Sequence, residues 1–451
     1  MLSSGGRCRK RLCAFFATQH VVIFEPDEKQ FYRYEPKSGL YLAETRAEIR
    51  QCFIKLIQHC ARRWTGYRPM VELCAEHYVR GTLALMEGAY CRRDFFNQPL
   101  PIVHLANCVL DFSSGSLEVC DFSPDYRSRN ASPIRYDPDA RAPKFKQAML
   151  SHLQEDDQRL IQKHAGQCLL GFNITQTFLL LDGASNSSKS TLVLLLAGLI
   201  GENNCGQLRT WLLERPFETA RFVGKTLLTG IDAKINFLSH QSASMIKALI
   251  GGDRFDTERK GSTRYSSFEG TFNLIVTANE LPPANLQGDE DAWRRRVLRV
   301  HYDKPFEGKS VYKFYRKLLK EEGSGILNWA VEGLQNLLED IVETGQIKLS
   351  ERQRELVNDF LLQSDSLRVF LRSELVGSKG SDLSVEEITH HYIDYCVERH
   401  WNHLSIRTIE KALPDLMRQL WATHRSNDIQ CRVYLPRGRR AETKENRASV
   451  F

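Results

Sequence analysis

The feature that most constrains the fold is an apolar run followed by small polar residues and then by a second apolar run. Residues 178–181 (FLLL) are followed by Gly183 and, six positions later, by Lys189 and Ser190. A strand that ends in this way before a helix leaves several backbone N–H groups pointing at one place, where a triphosphate can bind. We expect Lys189 to meet the outer phosphates, Ser190 to hold Mg²⁺, and residues 191–200 to form the helix.

Seven residues are predicted to form the phosphate-binding loop: Gly183, Asn186, Ser187, Ser188, Lys189, Ser190 and Thr191. Ser188 stands where glycine is usual in such loops. Serine still offers its backbone N–H, but it has less freedom than glycine to adopt a positive φ. Taken alone, the segment could also be a chance match in a serine-rich loop, because a single motif is only a hypothesis.

Two further runs end in polar side chains of the kind that phosphate-loop ATPases use. Residues 226–231 form a short, mostly apolar run before Asp232, an acid that we expect beside Mg²⁺ and the attacking water. Residues 271–278 form a β-rich run with Asn279 at its tip. An amide there can orient water near the γ-phosphate without adding negative charge. A buried strand and a turn aspartate are the simpler explanations of each run by itself.

An arginine cluster, Arg294, Arg295 and Arg296, follows these runs. Guanidinium groups in this position could reach the nucleotide of a neighbouring subunit and neutralise charge on the transferred phosphoryl group, as an arginine finger does. A solvated arginine run is the alternative. All four elements in one order favour an ATPase over a chance match.

Four segments extend the pattern: LIGGD (249–253), ERKG (258–261), LIVTANELP (274–282) and WRRR (293–296). On these segments the chain resembles the superfamily 3 helicases, and within them the phage and plasmid primase-helicases, which are related to the poxvirus primase-helicase. Residues 102–111, 123–125 and 133–138 look like the domain that precedes the motor in that branch. The resemblance therefore covers residues 12–306.

The resemblance implies an α/β, AAA+-like phosphate-loop ATPase with a parallel sheet, ATP and Mg²⁺ as cofactors, and a homo-hexameric ring. The implied catalytic residues are Lys189, Asp232, Asn279, Arg295 and Arg296, and the implied metal ligands are Ser190 and Asp232. Arg295 and Arg296 are favoured over Arg294 because the family's arginine pair lies six to seven residues before an aromatic residue, here Tyr302.

Two positions depart from the family's pattern. Ser188 replaces a glycine, and Ala233 follows Asp232 where many members carry a second acid. The main prediction is an ATP-dependent, ring-forming DNA helicase that unwinds DNA during replication of a phage, plasmid or integrated mobile element. The alternative that these departures keep open is a DNA-binding replication initiator that uses nucleotide as an assembly switch and unwinds little.

Two segments are predicted to contact DNA. Residues 256–265 lie where this helicase superfamily inserts a hairpin into its central channel, and a basic turn there could follow the phosphates of a single strand. Three helices and a terminal ribbon within residues 364–440 fit a winged helix, whose last helix and ribbon could lie along duplex DNA. We expect Pro414 to interrupt that last helix. The predicted contacts are Arg259, Lys260 and Arg264 in the first segment, and Arg407 and Lys411 in the second. A charged surface hairpin and a solvated helix face are the alternatives.

The elements divide the chain into four parts. Residues 12–144 are predicted to form an α+β domain, residues 145–363 the ATPase domain with a helical lid, residues 364–440 the winged helix, and residues 441–451 a basic tail. We expect single-stranded and forked DNA as partners. The residues before position 12 are too few for a primase, so a separate primase or polymerase is a candidate partner.

Composition agrees with a nucleic-acid motor but does not identify one. The net charge of +7 modestly favours anionic partners. Twelve cysteines without a CxxC pair argue against a structural zinc site and for reduced thiols, so we expect a cytoplasmic protein. We expect no contact with a membrane, because no apolar run reaches the length of a membrane span.

Overall fold

The computed structural model describes residues 13–14, 16–18, 20–63, 75–97, 99–213, 215, 218–233, 237–238, 240–258, 265–279, 290–306, 311–364, 366–377, 382–398, 403–421 and 429–431. These residues fall into two compact units. The first takes its residues from 1–233, 244–280 and 296–354, and the second from 234–243, 281–295 and 355–451.

The strands are β1 (Val22–Glu25), β2 (Gln30–Glu35), β3 (Leu40–Glu44), β4 (Ile102–His104), β5 (Val109–Asp111), β6 (Glu118–Cys120), β7 (Phe178–Gly183), β8 (Cys205–Gln207), β9 (Leu227–Gly230), β10 (Arg254–Glu258), β11 (Tyr265–Glu269), β12 (Asn273–Thr277), β13 (Val297–Tyr302), β14 (Leu375–Gly377) and β15 (Ile429–Cys431). The α-helices longer than one turn are α1 (Arg46–Arg63), α2 (Glu76–Ala89), α3 (Glu155–Leu170), α4 (Lys189–Ile200), α5 (His240–Gly251), α6 (Glu290–Arg294), α7 (Phe314–Thr344), α8 (Glu351–Ser364), α9 (Ser366–Glu374), α10 (Val385–Glu398) and α11 (Ile406–Trp421). A single turn at Pro143–Phe145 continues as a π-helix over Lys146–Leu150, and short 3₁₀ turns lie at Pro124–Tyr126, Glu202–Asn204, Thr210–Leu212 and Thr219–Phe222. None of the helices in the described ranges is long and apolar enough to cross a membrane.

A five-stranded parallel sheet forms the centre of the first unit. Its strand order is β13-β7-β12-β9-β8, with Leu179 of β7 paired to Ile275 on one side and to Leu298 on the other. All six residues of β7 are buried, as expected for a continuous apolar strand covered on both faces. The mixed α/β fold with a parallel sheet, predicted from the sequence, is therefore confirmed. The sheet also shows that β12 lies between β7 and β9.

Helices α3, α4 and α7 share one apolar core with a face of this sheet, which includes Leu181, Leu196 and Ile326. Helix α7 is interrupted at Glu322, whose φ of −130° is not helical. The Glu322 carboxylate accepts hydrogen bonds from the backbone N–H groups of Lys144 (3.0 Å) and Phe145 (2.9 Å). A buried carboxylate thus satisfies N–H groups that have no partner within the short turn that begins at Pro143.

Glycines allow α3 and α7 to cross at close range. A Cβ atom on Gly166 of α3 would lie 2.3 Å from the backbone nitrogen of Leu334 on α7, and one on Gly333 would lie 2.1 Å from the carbonyl oxygen of Gln162. The two backbones therefore touch where side chains would normally separate them. The apolar residues between positions 326 and 337 of α7 face the core.

The amino-terminal part of the first unit contains two antiparallel meanders. Strands β1 to β3 form the first, and α1 and α2 pack in a core with Phe24, Phe31 and Phe53. Helix α1 turns Ile49, Phe53 and Ile57 toward this core. Strands β4 to β6 form the second meander, with a turn after Asp111. Residues of this second meander lie in the same apolar core as the parallel sheet.

Three helices of the second unit, α9, α10 and α11, pack around a core that includes Phe370, Tyr392 and Leu413. The helices agree with the segments predicted from the sequence. Strand β15 pairs antiparallel with β14, which precedes α10, so the two strands of this ribbon come from distant parts of the chain.

Helix α11 continues through Pro414 to Trp421, although proline was expected to interrupt it. Proline removes one intrahelical hydrogen bond and commonly kinks or ends a helix. Here Pro414 is exposed, while Leu413, Leu416 and Met417 on the apolar face are buried. Packing of this face holds the helix together across the missing bond, since tertiary contacts outweigh propensity.

The close crossing of α3 and α7 predicts that Gly166→Ala lowers the free energy of unfolding by about 1–3 kcal/mol, the usual cost of overpacking. Gly88→Ala is the matched control, because a Cβ on this glycine in α2 would meet nothing within 4 Å. It should raise the free energy of unfolding by about 0.5–1 kcal/mol through helix propensity. Urea titrations measure both, and equal effects of the two substitutions would contradict the close crossing.

His164 on α3 predicts a pH dependence of stability. It is 1% exposed, and burial lowers its pKa from 6.5 to about 4. Between these values the unfolded chain binds a proton that the native ring excludes, so stability falls as the pH falls through this window. His164 should contribute a loss of about 2 kcal/mol between pH 7 and pH 5. Urea titrations at both pH values should show that His164→Leu removes this loss, and an unchanged difference would contradict the prediction.

Candidate functional site

The loop between β7 and α4 has the backbone that its residues predict. Asn186 has a φ of 58° and Ser188 a φ of 68°, both in the left-handed region. Ser188 immediately precedes α4, and its carbonyl oxygen accepts the hydrogen bond from Leu192 (3.0 Å) that starts the helix. Ser188 thus takes the conformation for which glycine is preferred, at a cost in backbone energy.

Gly183 ends β7 where no side chain fits. Its φ is 111°, and a Cβ atom would lie 2.3 Å from the carbonyl oxygen of Tyr302 on β13. The next residue, Ala184, donates its N–H to the same oxygen at 2.8 Å. The close approach of β7 and β13 therefore fixes the point from which the loop departs.

Lys189 turns its ammonium group back into the loop. The side chain donates to the carbonyl oxygens of Gly183 (2.9 Å) and Ala184 (2.6 Å) and to the hydroxyl of Ser187 (3.0 Å). The residue is 4% exposed. Burial lowers the pKa of Lys189, and the carboxylates of Asp182 and Asp232 act in the opposite direction. A positive charge at the centre of such a loop fits an outer phosphate of a bound triphosphate.

The predicted polar residues meet at one edge of the sheet. Strands β7, β12 and β9 are parallel neighbours, so the residues that follow their carboxyl ends lie side by side. They border a cavity of about 380 Å³ whose polar lining is Ser185, Asn186, Ser187, Ser188, Lys189, Ser190, Thr191, Asp232 and Asn279. Its apolar lining is Ala148, Met149, Phe306, Val311 and Phe314. Six of the seven predicted loop residues, together with Asp232 and Asn279, thus line one cavity.

Asp232 lies in a turn after β9 with its side chain exposed and a φ of 53°. Its N–H donates to the Thr277 hydroxyl at 3.0 Å, and the N–H of Ala233 donates to the Thr277 carbonyl oxygen at 2.8 Å. Asn279, two residues after the end of β12, is also exposed. Both side chains can therefore reach a ligand in the cavity.

A buried charge cluster lies at the end of β7, and the sequence analysis missed it. Asp182 is 1% exposed and accepts two hydrogen bonds from the Arg299 guanidinium, at 2.8 and 3.0 Å. The Nδ1 atom of His301 lies 2.7 Å from the same carboxylate. Charged residues inside two otherwise apolar runs, FLLLD and VLRVHY, were the available signal. The cluster joins β7 to β13 directly beneath the loop.

The arginine cluster lies at the other end of β13. The N–H of Phe178, at the start of β7, donates to the carbonyl oxygen of Arg296 at 2.8 Å. Gly183 lies at the opposite end of this six-residue strand, roughly 20 Å away along the sheet. Arg296 and the preceding Arg295 are thus not brought to the loop of their own chain. Arg294 forms an ion pair with Asp291.

The predicted DNA contacts fall in two places. Arg259, Lys260 and Arg264 lie outside the described residues. The strands on either side of them, β10 and β11, form an antiparallel pair from Arg254↔Glu269 to Glu258↔Tyr265, consistent with a hairpin. Arg407 and Lys411 are exposed one turn apart on α11 of the second unit.

Among the described residues, no group of three or more His, Cys, Asp or Glu side chains could hold a metal ion. A phosphate loop does not require such a group, because the hydroxyl of the loop, a single acid, phosphate oxygens and water complete the coordination of Mg²⁺. Ser190 and Asp232 line the same cavity and are the described residues that fit this role.

A family model matches the part of the chain that contains the loop, Asp232 and Asn279. Residues 181–296 match the model of a family of unknown function (DUF5906). No curated protein sequence matches the chain.

Solved structures of the NrS-1 C-terminal region are similar to the chain. One apo structure of this region is 13% identical, covers 80% of this chain and 78% of that chain, and has a TM-score of 0.47. Two structures of its residues 305–718 are 12% and 13% identical, cover 91% of this chain and 90% of those chains, and have TM-scores of 0.49 and 0.48. Neither the identity nor the TM-score is high enough to support a functional inference.

The strained loop predicts that Ser188→Gly stabilises the protein. Glycine removes the cost of a left-handed residue, so the free energy of unfolding should rise by about 1 kcal/mol. Ser185→Gly in the same loop is the control, because the φ of Ser185 is not positive and glycine there only adds freedom to the unfolded chain. Urea titrations without nucleotide compare the variants. A Ser188→Gly protein no more stable than the Ser185→Gly protein would contradict the strain.

Proposed function

We propose that this chain is an ATP-dependent DNA helicase that works as a ring. The observation that carries the proposal is the meeting of Lys189, Asp232 and Asn279 in one cavity from three parallel strands or the loops that follow them. A cation, an acid and a neutral amide in this arrangement match the needs of phosphoryl transfer. The resemblance of residues 12–306 to superfamily 3 helicases supports the same function.

Each residue has a distinct role in the proposed reaction. The loop N–H groups and the Lys189 ammonium bind the outer phosphates, for which Lys189 leaves its present contacts with loop oxygens. Ser190 and Asp232 hold Mg²⁺, which neutralises charge on the phosphates. Asn279 orients the attacking water as a neutral hydrogen-bonding group. The apolar side of the cavity, with Met149 and Phe306, excludes water around the rest of the nucleotide.

The separation of the arginines from the loop supports a site shared between subunits. Arg296 lies at the far end of β13, roughly 20 Å from Gly183 of its own chain. An arginine side chain cannot span that distance, so Arg295 and Arg296 reach a nucleotide only when they belong to another copy. A head-to-tail arrangement that repeats this contact closes into a ring, which we expect to be a hexamer.

DNA contacts are proposed for both units. The β10–β11 pair immediately precedes β12, the strand that leads to Asn279. A movement of Asn279 on hydrolysis would therefore be transmitted through β12 to the segment with Arg259, Lys260 and Arg264, which we propose to contact DNA. In the second unit, α11 exposes Arg407 and Lys411. The same unit contains the β14–β15 ribbon, and a helix and a ribbon are the elements that a winged helix would use on duplex DNA. A role in replication of a phage, plasmid or mobile element rests on the resemblance.

One observation favours a second function. Asp232 is the single carboxylate among the described residues that line the cavity, and Ala233 follows it. A site with one acid can bind nucleotide yet hydrolyse it slowly, as in a DNA-binding initiator that uses nucleotide as an assembly switch. Displacement of a labelled strand with ATP, compared with a non-hydrolysable analogue, separates the two functions. Only a helicase shows ATP-specific displacement.

The shared site predicts that two inactive variants restore hydrolysis when mixed. Lys189→Ala removes the cation that meets the phosphates, and Arg295→Ala/Arg296→Ala removes the fingers, so each variant alone should hydrolyse no ATP. In an equal mixture, the intact loop of an Arg295→Ala/Arg296→Ala subunit faces the intact arginines of a Lys189→Ala subunit at about a quarter of the interfaces of a random ring. Phosphate release should therefore recover to about a quarter of the parental rate per subunit.

The control mixture combines Lys189→Ala with the triple variant Lys189→Ala/Arg295→Ala/Arg296→Ala, which contains no intact loop and should stay inactive. Size-exclusion chromatography of differently tagged chains establishes that the variants assemble together. An inactive test mixture of chains that do assemble would contradict the shared site. Hydrolysis at the parental rate by Lys189→Ala alone would contradict the proposal that the loop binds the phosphates.

A further inference from the structure

The turn that carries Asp232 is held by one side chain from another strand. Thr277, the last residue of β12, is fully buried, and its hydroxyl accepts the N–H of Asp232 at 3.0 Å. Its carbonyl oxygen accepts the N–H of Ala233 at 2.8 Å. Two consecutive N–H groups of the turn therefore bind a single residue 45 positions away.

These contacts support an uncommon backbone conformation of Asp232. Its φ of 53° lies in the left-handed region, which aspartate adopts more often than most residues but less readily than glycine. The carbonyl of Thr277 would be available from any residue at that position. The hydrogen bond from Asp232 needs an acceptor oxygen on the side chain, which threonine has and valine lacks.

Thr277 is itself fixed relative to the phosphate loop. It pairs with Leu181 of β7, and the next residue, Ala278, donates its N–H to the Leu181 carbonyl oxygen at 3.0 Å. Gly183 follows Leu181 by two residues, and Asn279 follows Thr277 by two residues. Thr277 thus connects the strand before the loop, the turn with the acid and the strand with the amide.

We propose that Thr277 is a positioning residue for the reaction, with a hydroxyl that holds the Asp232 turn so that the carboxylate faces Mg²⁺ while Asn279 faces the water. This inference rests on the proposed function, because it assigns a purpose to the geometry of Asp232. A threonine that only fills space in the sheet would make the hydroxyl dispensable. The two roles differ in what a valine at this position would change.

The test compares Thr277→Val, which keeps the shape and strand preference of threonine but lacks the hydroxyl, with Thr277→Ser, which keeps the hydroxyl. Thr229→Val is the matched control. Thr229 lies on β9 before the turn, half-buried, and pairs with Ile275 of β12. Three measurements apply to each full-length protein: amide hydrogen exchange at residues 231–233, binding of a fluorescent ATP analogue in EDTA, and the Mg²⁺ concentration for half-maximal hydrolysis.

Thr277→Val should speed exchange of the Asp232 amide about five- to tenfold and raise the half-saturating Mg²⁺ concentration by a similar factor, the usual effect of one lost hydrogen bond. Binding without Mg²⁺ should stay within about twofold of the parent, because the loop is untouched. Thr277→Ser and Thr229→Val should match the parent in all three measurements. This pattern separates positioning from general destabilisation, which would lower nucleotide binding as well.

Parental Mg²⁺ dependence in Thr277→Val would overturn the proposal, and so would a serine variant that behaves like valine. Equal effects of Thr229→Val would assign the change to general loss of stability and overturn it too. A parent chain that binds no nucleotide would overturn the proposed function and the catalytic role of Thr277 with it. Even then, faster exchange at Asp232 in the valine variant alone would establish the structural clamp, so the two failures are distinguishable.

Discussion

The pairing of β7 with β12 and β13 is the constraint on which the rest of the first unit depends. It is parallel on both sides, and it aligns Gly183 with Tyr302 at one end and Phe178 with Val297 at the other. A shift of register by one residue would turn every side chain of β7 to the opposite face. The same pairing sets where the loop leaves the sheet, and it separates the loop from Arg296.

The buried ion pair beneath the loop reinforces this register. Removing Asp182 and Arg299 from water is costly, and such a pair is tolerated only when its hydrogen bonds are complete. Two guanidinium bonds and the ring of His301 meet that requirement. The Asp182 carboxylate also opposes the effect of burial on the pKa of Lys189. The Asp182 carboxylate therefore connects β7 to β13 and also favours the charged form of Lys189.

The sequence predicted the parts of this fold that have local causes. Strands buried on both faces are continuous apolar runs, and the change from such a run to glycine, serine and lysine predicts the loop between β7 and α4. The order of the strands, with β12 between β7 and β9, has no local cause, because it is fixed by pairing across 96 residues for Leu179 with Ile275 and across 46 for Leu227 with Asn273. The contact of Thr277 with Asp232 and the cluster around Asp182 depend on that order, so they could not be predicted. Pro414 shows the opposite case, a local rule that burial of Leu413, Leu416 and Met417 overrides.

The described lining of the cavity holds one carboxylate, that of Asp232. In the proposed reaction, the binding of Mg²⁺ therefore depends on how this carboxylate is oriented. No second acid follows Asp232, because the next residue is Ala233. Electrostatic stabilisation of a reaction depends on groups that are aimed before the charge develops, since reorientation during the reaction costs free energy. The side chain of Asp232 is exposed, and its backbone has a left-handed φ. The hydroxyl of Thr277 supplies the missing restraint from within the sheet, where burial and pairing with β7 keep it in place.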